Sequence, residues 1–140
     1  MYSFSGETII LKETITWRAP VSALAYSPRG ELIAAGSASG KIVLYSISED
    51  GEYTVLHEKF SFHTSRVKTL EFHPLGTHLA SGALDSDIYI WKVNTSVPST
   101  QRIQIKGAHG EGVWGVTWLS DKTIASTGAD AAVKIWDITI

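Results

Sequence analysis

An aspartate precedes a tryptophan by six residues twice in this chain, and the two pairs lie 45 residues apart. "LASGALDSDIYIW" (Leu79 to Trp91) holds Asp85 and Trp91, and "IASTGADAAVKIW" (Ile124 to Trp136) holds Asp130 and Trp136. The pairs belong to a longer repeat. "VSALAYSPRGELIAAGSASGKIVLYSI" starts at Val21, "VKTLEFHPLGTHLASGALDSDIYIWKV" at Val67 and "VWGVTWLSDKTIASTGADAAVKIWDI" at Val113. The starting valines are 46 residues apart in both intervals, and the third copy has one residue fewer in its first turn. Self-similarity at this period constrains the fold more than any other feature, because each repeat is one supersecondary unit that buries its apolar faces by stacking on its neighbours.

Within each copy the signals are those of strands. Runs of about six residues rich in Val, Ile, Leu, Thr and aromatics are bounded by turns. "SPRG" (Ser27 to Gly30) and "HPLG" (His73 to Gly76) put Pro second and Gly fourth, which suits a type I turn. No stretch keeps a 3.6-residue apolar period, so almost no helix is expected. Further strand-like runs lie between the copies, at Glu52–Phe60 and Thr100–Gly107, and Thr8–Ile15 precedes the first. The pattern predicts an all-β chain of twelve strands. It forms three blades of four antiparallel strands, as an incomplete ring or part of a larger β-propeller, since a period near 45 is that of a propeller blade. The expected division is an outer strand at 8–15 of a preceding or closing blade, blade 1 at 17–60, blade 2 at 63–107, and blade 3 at 109–140 without an outer strand of its own.

Composition excludes several function classes. Hydrophobic residues make up 44% of the 140, enough for a buried core. Twelve basic against fourteen acidic residues leave a net charge of −2 with no one-sign block, which argues against nucleic-acid or anionic-membrane binding. There is no cysteine, so thiolate catalysis and Cys-ligated zinc are excluded. The N-terminal stretch is not a signal peptide, and no apolar run approaches the roughly 20 residues of a membrane helix. A cytoplasmic or nuclear protein is the default expectation.

Chemically suggestive motifs have plainer readings. His, Ser and Asp recur together, but a triad needs its hydroxyl exposed beside the base and an oxyanion hole. "GEGVWG" (Gly110 to Gly115) matches a dinucleotide fingerprint, yet it leads into a strand-like run rather than a helix. The third glycine, Gly115, is expected to allow close packing near the propeller axis. His57, His63, His73, His78 and His109 have no metal-ligand spacing, and no cofactor is implied. "NTS" (Asn94 to Ser96) reads as a loop. The tryptophans and tyrosines, without a basic groove, read as core and blade packing.

These residues resemble the WD-repeat family of β-propellers. The carriers are "FH" before Val67 and "AH" before Val113, the Ser/Thr of "ASG" and "IAST", the turn aspartates, and the endings "IW" and "IWD". The resemblance implies a hydrogen-bonded tetrad in blade 2 of His63, Ser81, Asp85 and Trp91, and in blade 3 of His109, Ser126, Asp130 and Trp136. The first copy departs from the pattern, with Trp17, Ala35, Ser39 and Tyr45 at those places, so that blade should rest on apolar packing.

"RIQIKGAH" and "WLSDKTIAS" narrow the resemblance to the actin-interacting branch of the family, specifically its three C-terminal blades. That branch has two propellers and promotes cofilin-driven disassembly of actin filaments. The resemblance therefore implies a non-catalytic protein-binding module in the cytoplasmic actin cytoskeleton, with actin and cofilin as partners. The alternative is a scaffold or adaptor of another complex, such as a ubiquitin ligase. Positions at the start of inner strands lie near a propeller's top face, which makes Arg66, Lys68, Glu111 and Trp114 candidate partner contacts. Three blades leave two apolar faces uncovered, so self-association through them is also expected.

Overall fold

The computed structural model of the protein describes residues 2–4, 6–97 and 99–140, the first three by backbone alone. A short hairpin of β1 (Tyr2–Phe4) and β2 (Glu7–Ile9) comes first. Three antiparallel sheets come next in chain order. Blade 1 holds β3 (Val21–Tyr26), β4 (Leu32–Ser37), β5 (Ile42–Ile47) and β6 (Tyr53–Phe60). Blade 2 holds β7 (Val67–Phe72), β8 (His78–Ala83), β9 (Ile88–Lys92) and β10 (Arg102–Ile105). Blade 3 holds three strands, β11 (Val113–Ser120), β12 (Thr123–Gly128) and β13 (Val133–Asp137). Each strand pairs with the next, so the sheets are meanders, and the described residues contain no helix. The fold is all-β, built of propeller blades that do not close a ring.

The turns form where their residues allow. Gly30 and Gly76 sit at φ of 74° and 75°, and each donates its N–H to the carbonyl three residues back, on Ser27 and His73. Each inner strand carries a bulge at its start, between Val21 and Ala23, Val67 and Thr69, and Val113 and Gly115. The bulge residues are therefore Ser22, Lys68 and Trp114. A bulge re-aims its side chain out of the ladder.

Two apolar layers hold the blades together. Leu44, Ile42 and Phe60 of blade 1 meet Val67, Leu70 and Trp91 of blade 2. Ile88, Ile90 and Ala80 of blade 2 meet Val113, Trp118 and Ile124 of blade 3. Phe60 stacks on Trp91 with ring centroids 4.6 Å apart. Glycines set the approach, Gly36 and Gly82 on the blade faces among them. A Cβ on Gly36 would stand 2.6 Å from Val67 Cγ1, and one on Gly82 would stand 2.4 Å from Val113 Cγ1. Gly115, expected to serve close packing near the axis, faces Thr127 of its own blade instead. The close approach falls to Gly36 and Gly82, because the second strand is where the next blade's first valine lands.

Polar links add to these layers. The Ser22 hydroxyl donates to the Val67 carbonyl at 2.6 Å. Trp118 donates its backbone N–H to the Glu71 carboxylate at 3.0 Å and its indole N–H to the Glu71 carbonyl at 3.1 Å. His73 Nδ1 accepts the Leu75 N–H, so its Nε2–H donates to the Asp121 carbonyl 2.8 Å away in blade 3.

The segment Thr8–Ile15 differs from the outer strand expected of it. Only Thr8 and Ile9 lie in a strand, β2, and that strand pairs with Tyr2–Phe4 rather than with a blade. Residues 10–16 belong to no strand. A strand needs a ladder partner, and the described residues offer this segment no blade edge at that place. Gly6, at φ of 81°, lets the backbone turn back on itself.

Candidate functional site

Blade 2 brings His63, Ser81, Asp85 and Trp91 into one chain of hydrogen bonds. The Trp91 indole N–H donates to Ser81 Oγ at 2.8 Å. Ser81 Oγ lies 2.8 Å from His63 Nε2, and His63 Nδ1 lies 2.9 Å from Asp85 Oδ2. The indole is a donor only, so one set of proton positions satisfies every atom. The serine hydroxyl donates to Nε2, and Nδ1–H donates to the carboxylate. Asp85 also receives the N–H groups of Thr64 and Asp87, which fixes the β8–β9 turn. Ser86, next in that turn, takes a φ of 77°. Burial pushes the Asp85 carboxyl up, but the bonds from His63, Thr64 and Asp87 outweigh it and hold it below the usual carboxylate range.

Blade 3 repeats the arrangement with His109, Ser126, Asp130 and Trp136. The three distances, Trp136 Nε1 to Ser126 Oγ, Ser126 Oγ to His109 Nε2, and His109 Nδ1 to Asp130 Oδ1, are each 2.8 Å. Asp130 stays low chiefly through the His109 hydrogen bond, with the Ala132 N–H and the charge of Lys134 assisting. This tetrad is more open: the Asp130 side chain is 27% exposed against 8% for Asp85.

The arrangement positions side chains and offers no reactive group. Both serine hydroxyls are buried and engaged on each side, so neither is free to attack a substrate. Among the described residues no group of His, Cys, Asp and Glu gathers to hold a metal ion.

Blade 1 has no such chain, and other residues take over its tasks. The Trp17 indole N–H donates to Glu58 of β6 at 2.8 Å, and Arg18 pairs with the same carboxylate at 3.1 Å. Ser37, wholly buried, accepts the N–H groups of Ser39 and Lys41 and shares a hydrogen bond with the Ser39 hydroxyl. It closes the turn that aspartate closes elsewhere. Ala35 and Tyr45 are buried with Val43 in a small cluster that Trp17 flanks. Composition alone does not single out Ser37. Its place, two residues before the aspartate position, is the signal that would have found it.

The four rim candidates are all exposed. Arg66 accepts the Leu84 N–H on its carbonyl, and a Cβ on Gly112 would stand 3.0 Å from Leu84 Cδ2. The loops bearing Arg66 and Glu111 therefore meet at Leu84. Lys68 and Trp114 are bulge residues, and Glu111 holds a φ of 69°, a conformation a non-glycine residue takes at a cost.

The sequence and the fold both have known counterparts. The WD domain, G-beta repeat model matches residues 11–46, 54–92 and 100–137. An uncharacterized WD repeat-containing protein of Schizosaccharomyces pombe is 40% identical over 86% of this chain and 19% of its own length. Actin-interacting protein 1 of Caenorhabditis elegans is 33% identical over 99% of this chain and 22% of its own. The chain thus spans about a fifth of the length of the curated relatives it matches. Among solved structures, Chaetomium thermophilum Sqt1, bound to the N-terminus of a ribosomal protein, superposes with a TM-score of 0.73 at 27% identity. That match covers 84% of this chain and 31% of Sqt1. With three matched repeats, the second and third each running from the outer strand of one blade through the inner three of the next, and two closed tetrads, the chain belongs to the WD-repeat family.

Proposed function

We propose that the chain is a non-catalytic protein-binding segment of an actin-regulating WD-repeat protein, acting with cofilin in filament disassembly in the cytoplasm. The observation that carries the reading is similarity along 99% of this chain to part of proteins named for actin interaction, 33% identical in worm and 34% in fly. The chemistry agrees with binding. The polar groups of both tetrads are spent inside the blades, while Arg66 and Glu111 stand exposed on adjoining loops and Lys68 and Trp114 on the bulges that follow them. In this reading Trp114 supplies apolar contact area, and Arg66 and Lys68 supply positive charge to an acidic partner surface.

Co-sedimentation with filamentous actin, with and without cofilin, tests it. The protein that contains this segment should pellet with filaments and speed their disassembly when cofilin is present. Trp114→Ala and Arg66→Glu should weaken pelleting without changing the far-ultraviolet circular dichroism. A protein that stays in the supernatant under both conditions refutes the actin reading.

A second reading rests on Sqt1, whose structure holds the N-terminus of a ribosomal protein. Under it the same rim grips a peptide of another complex. Loss of a peptide partner, with actin pelleting unchanged, in the Trp114→Ala protein would favour this scaffold reading.

A further inference from the structure

Asp50, Asp85 and Asp130 stand in turns of one form but do different things there. Each is third of four residues, and the fourth donates its N–H to the carbonyl of the first: Gly51 to Ser48, Ser86 to Ala83, and Ala131 to Gly128. Those fourth residues take φ of 80°, 77° and 60°. In blades 2 and 3 the carboxylate is engaged. Asp85 accepts from His63, Thr64 and Asp87, and Asp130 from His109 and Ala132. Asp50 is exposed, and among the described residues its carboxylate takes part in no hydrogen bond or ion pair.

The residue that follows sharpens the contrast. Ser86 and Ala131 each carry a Cβ beside the amide nitrogen, whereas Gly51 carries none, and no other aspartate of the chain is followed by glycine. A Cβ on Gly51 would meet, among the described residues beyond its own neighbours, only Lys12 Nζ at 3.8 Å, so the approach to this nitrogen is open. A free carboxyl beside an unshielded amide nitrogen can close a five-membered ring with it, because glycine lets another group come close to the backbone.

We propose that Asp50–Gly51 is a modification site, at which the chain isomerises through a succinimide to a β-aspartyl linkage. The Gly51 nitrogen attacks Asp50 Cγ. Its proton and the carboxyl hydroxyl leave as water, and the imide ring closes. Water then adds to either ring carbonyl. Addition at Cγ breaks the new bond and restores the aspartate. Addition at the Asp50 backbone carbonyl breaks the original peptide bond, leaves an α-carboxylate there and keeps Gly51 joined through Cγ. The water lost is regained, and nothing is oxidised or reduced. The product has one more carbon in the main chain of the turn. That turn holds the ends of β5 and β6 together: Ser48 Oγ accepts the Glu52 N–H at 3.0 Å, and the Ser48 N–H donates to the Glu52 carbonyl at 2.9 Å. Conversion should therefore loosen the start of β6, at Tyr53 and Thr54.

The whole 140-residue chain, held near neutral pH in heavy-oxygen water and then digested, reports linkage and label at each aspartate by chromatography and electron-transfer fragmentation. The expected result is a β-linked, labelled fraction at Asp50 that grows with time, while Asp85 and Asp130 stay α-linked. Gly51→Ala should slow the growth in an intact turn, since Ala131 already takes this conformation. Asp50→Glu, which needs a larger ring, should abolish it. Amide deuterium uptake at Tyr53 and Thr54 should rise in the converted fraction. A free peptide of Ser48–Tyr53, run alongside, separates the sequence from the turn. Conversion of the peptide with the folded chain unchanged means that the bond from Gly51 to Ser48 locks the amide, and overturns the proposal. Conversion at Asp85 or Asp130 as fast as at Asp50 overturns the part given to the free carboxylate and the glycine.

Discussion

At the scale of single residues, Asp85 and Ser39 occupy equivalent turn positions with unequal consequences. Asp85→Ala removes the acceptor of three donors, including the buried His63 Nδ1–H, and should cost about 1–3 kcal/mol in chemical denaturation. Ser39→Ala removes one hydroxyl from a largely accessible turn and should shift the midpoint little, whereas Ser37→Ala strips two backbone N–H groups of their acceptor and should cost more. Acid should act through the same aspartates. Both carboxyls titrate below their ordinary range in the folded state. Their contribution is thus complete above the unfolded pKa of roughly 4 and is lost as the pH falls through the lowered folded value. His57 acts at higher pH. Burial lowers its pKa first and the charge of Lys59 second, and among the described residues its buried Nε2 finds no partner. The fold therefore favours the neutral ring, and stability should begin to fall as the pH drops below about 6.5. Following the urea midpoint between about pH 7 and pH 5 checks this, and His57→Phe should flatten that part of the curve.

At the scale of strands, the repeat makes most of the architecture readable, and the differences between sequence and structure have a common cause. Runs of about six residues rich in Val, Ile, Leu, Thr and aromatics between turns mark the strands, because a blade packed on both faces needs apolar side chains on both. The spacing shows only that the Asp and Trp recur together; the tetrads are legible through the resemblance to the WD-repeat family, which says that these side chains meet. Thr8–Ile15 has the composition of an outer strand, but such a strand is defined by the edge it joins, and sequence does not say which edge lies beside it. The role of Gly36 and Gly82 is hidden for the same reason: only packing shows that the next blade's valine needs their space. Gly82→Ala should therefore destabilise the chain by about 1–3 kcal/mol, since the added methyl meets Val113 Cγ1 and forces the blades apart. Thermal melting compared with Gly115→Ala, where the added carbon meets the movable Thr127 hydroxyl, separates the two.

At the scale of the whole molecule, blade 2 differs from the others in having both faces covered, one by the layer around Phe60 and Trp91, the other by that around Ile90 and Trp118. Blades that touch only their neighbours behave as a row of coupled units, and the ends of a row are held from one side only. Amide deuterium uptake should thus be slowest in β8 and β9 and faster in β13, even though blades 2 and 3 carry the same four tetrad residue types. Blade 3 also ties itself to blade 2 through the His73 side chain and the Asp121 carbonyl, a strut spanning two turns far apart in the chain. That strut makes the hinge between these two sheets stiffer than the one between the first two. Under force or heat the molecule should give way first where blade 1 meets its neighbour, leaving a two-blade remnant as the last part to lose its shape.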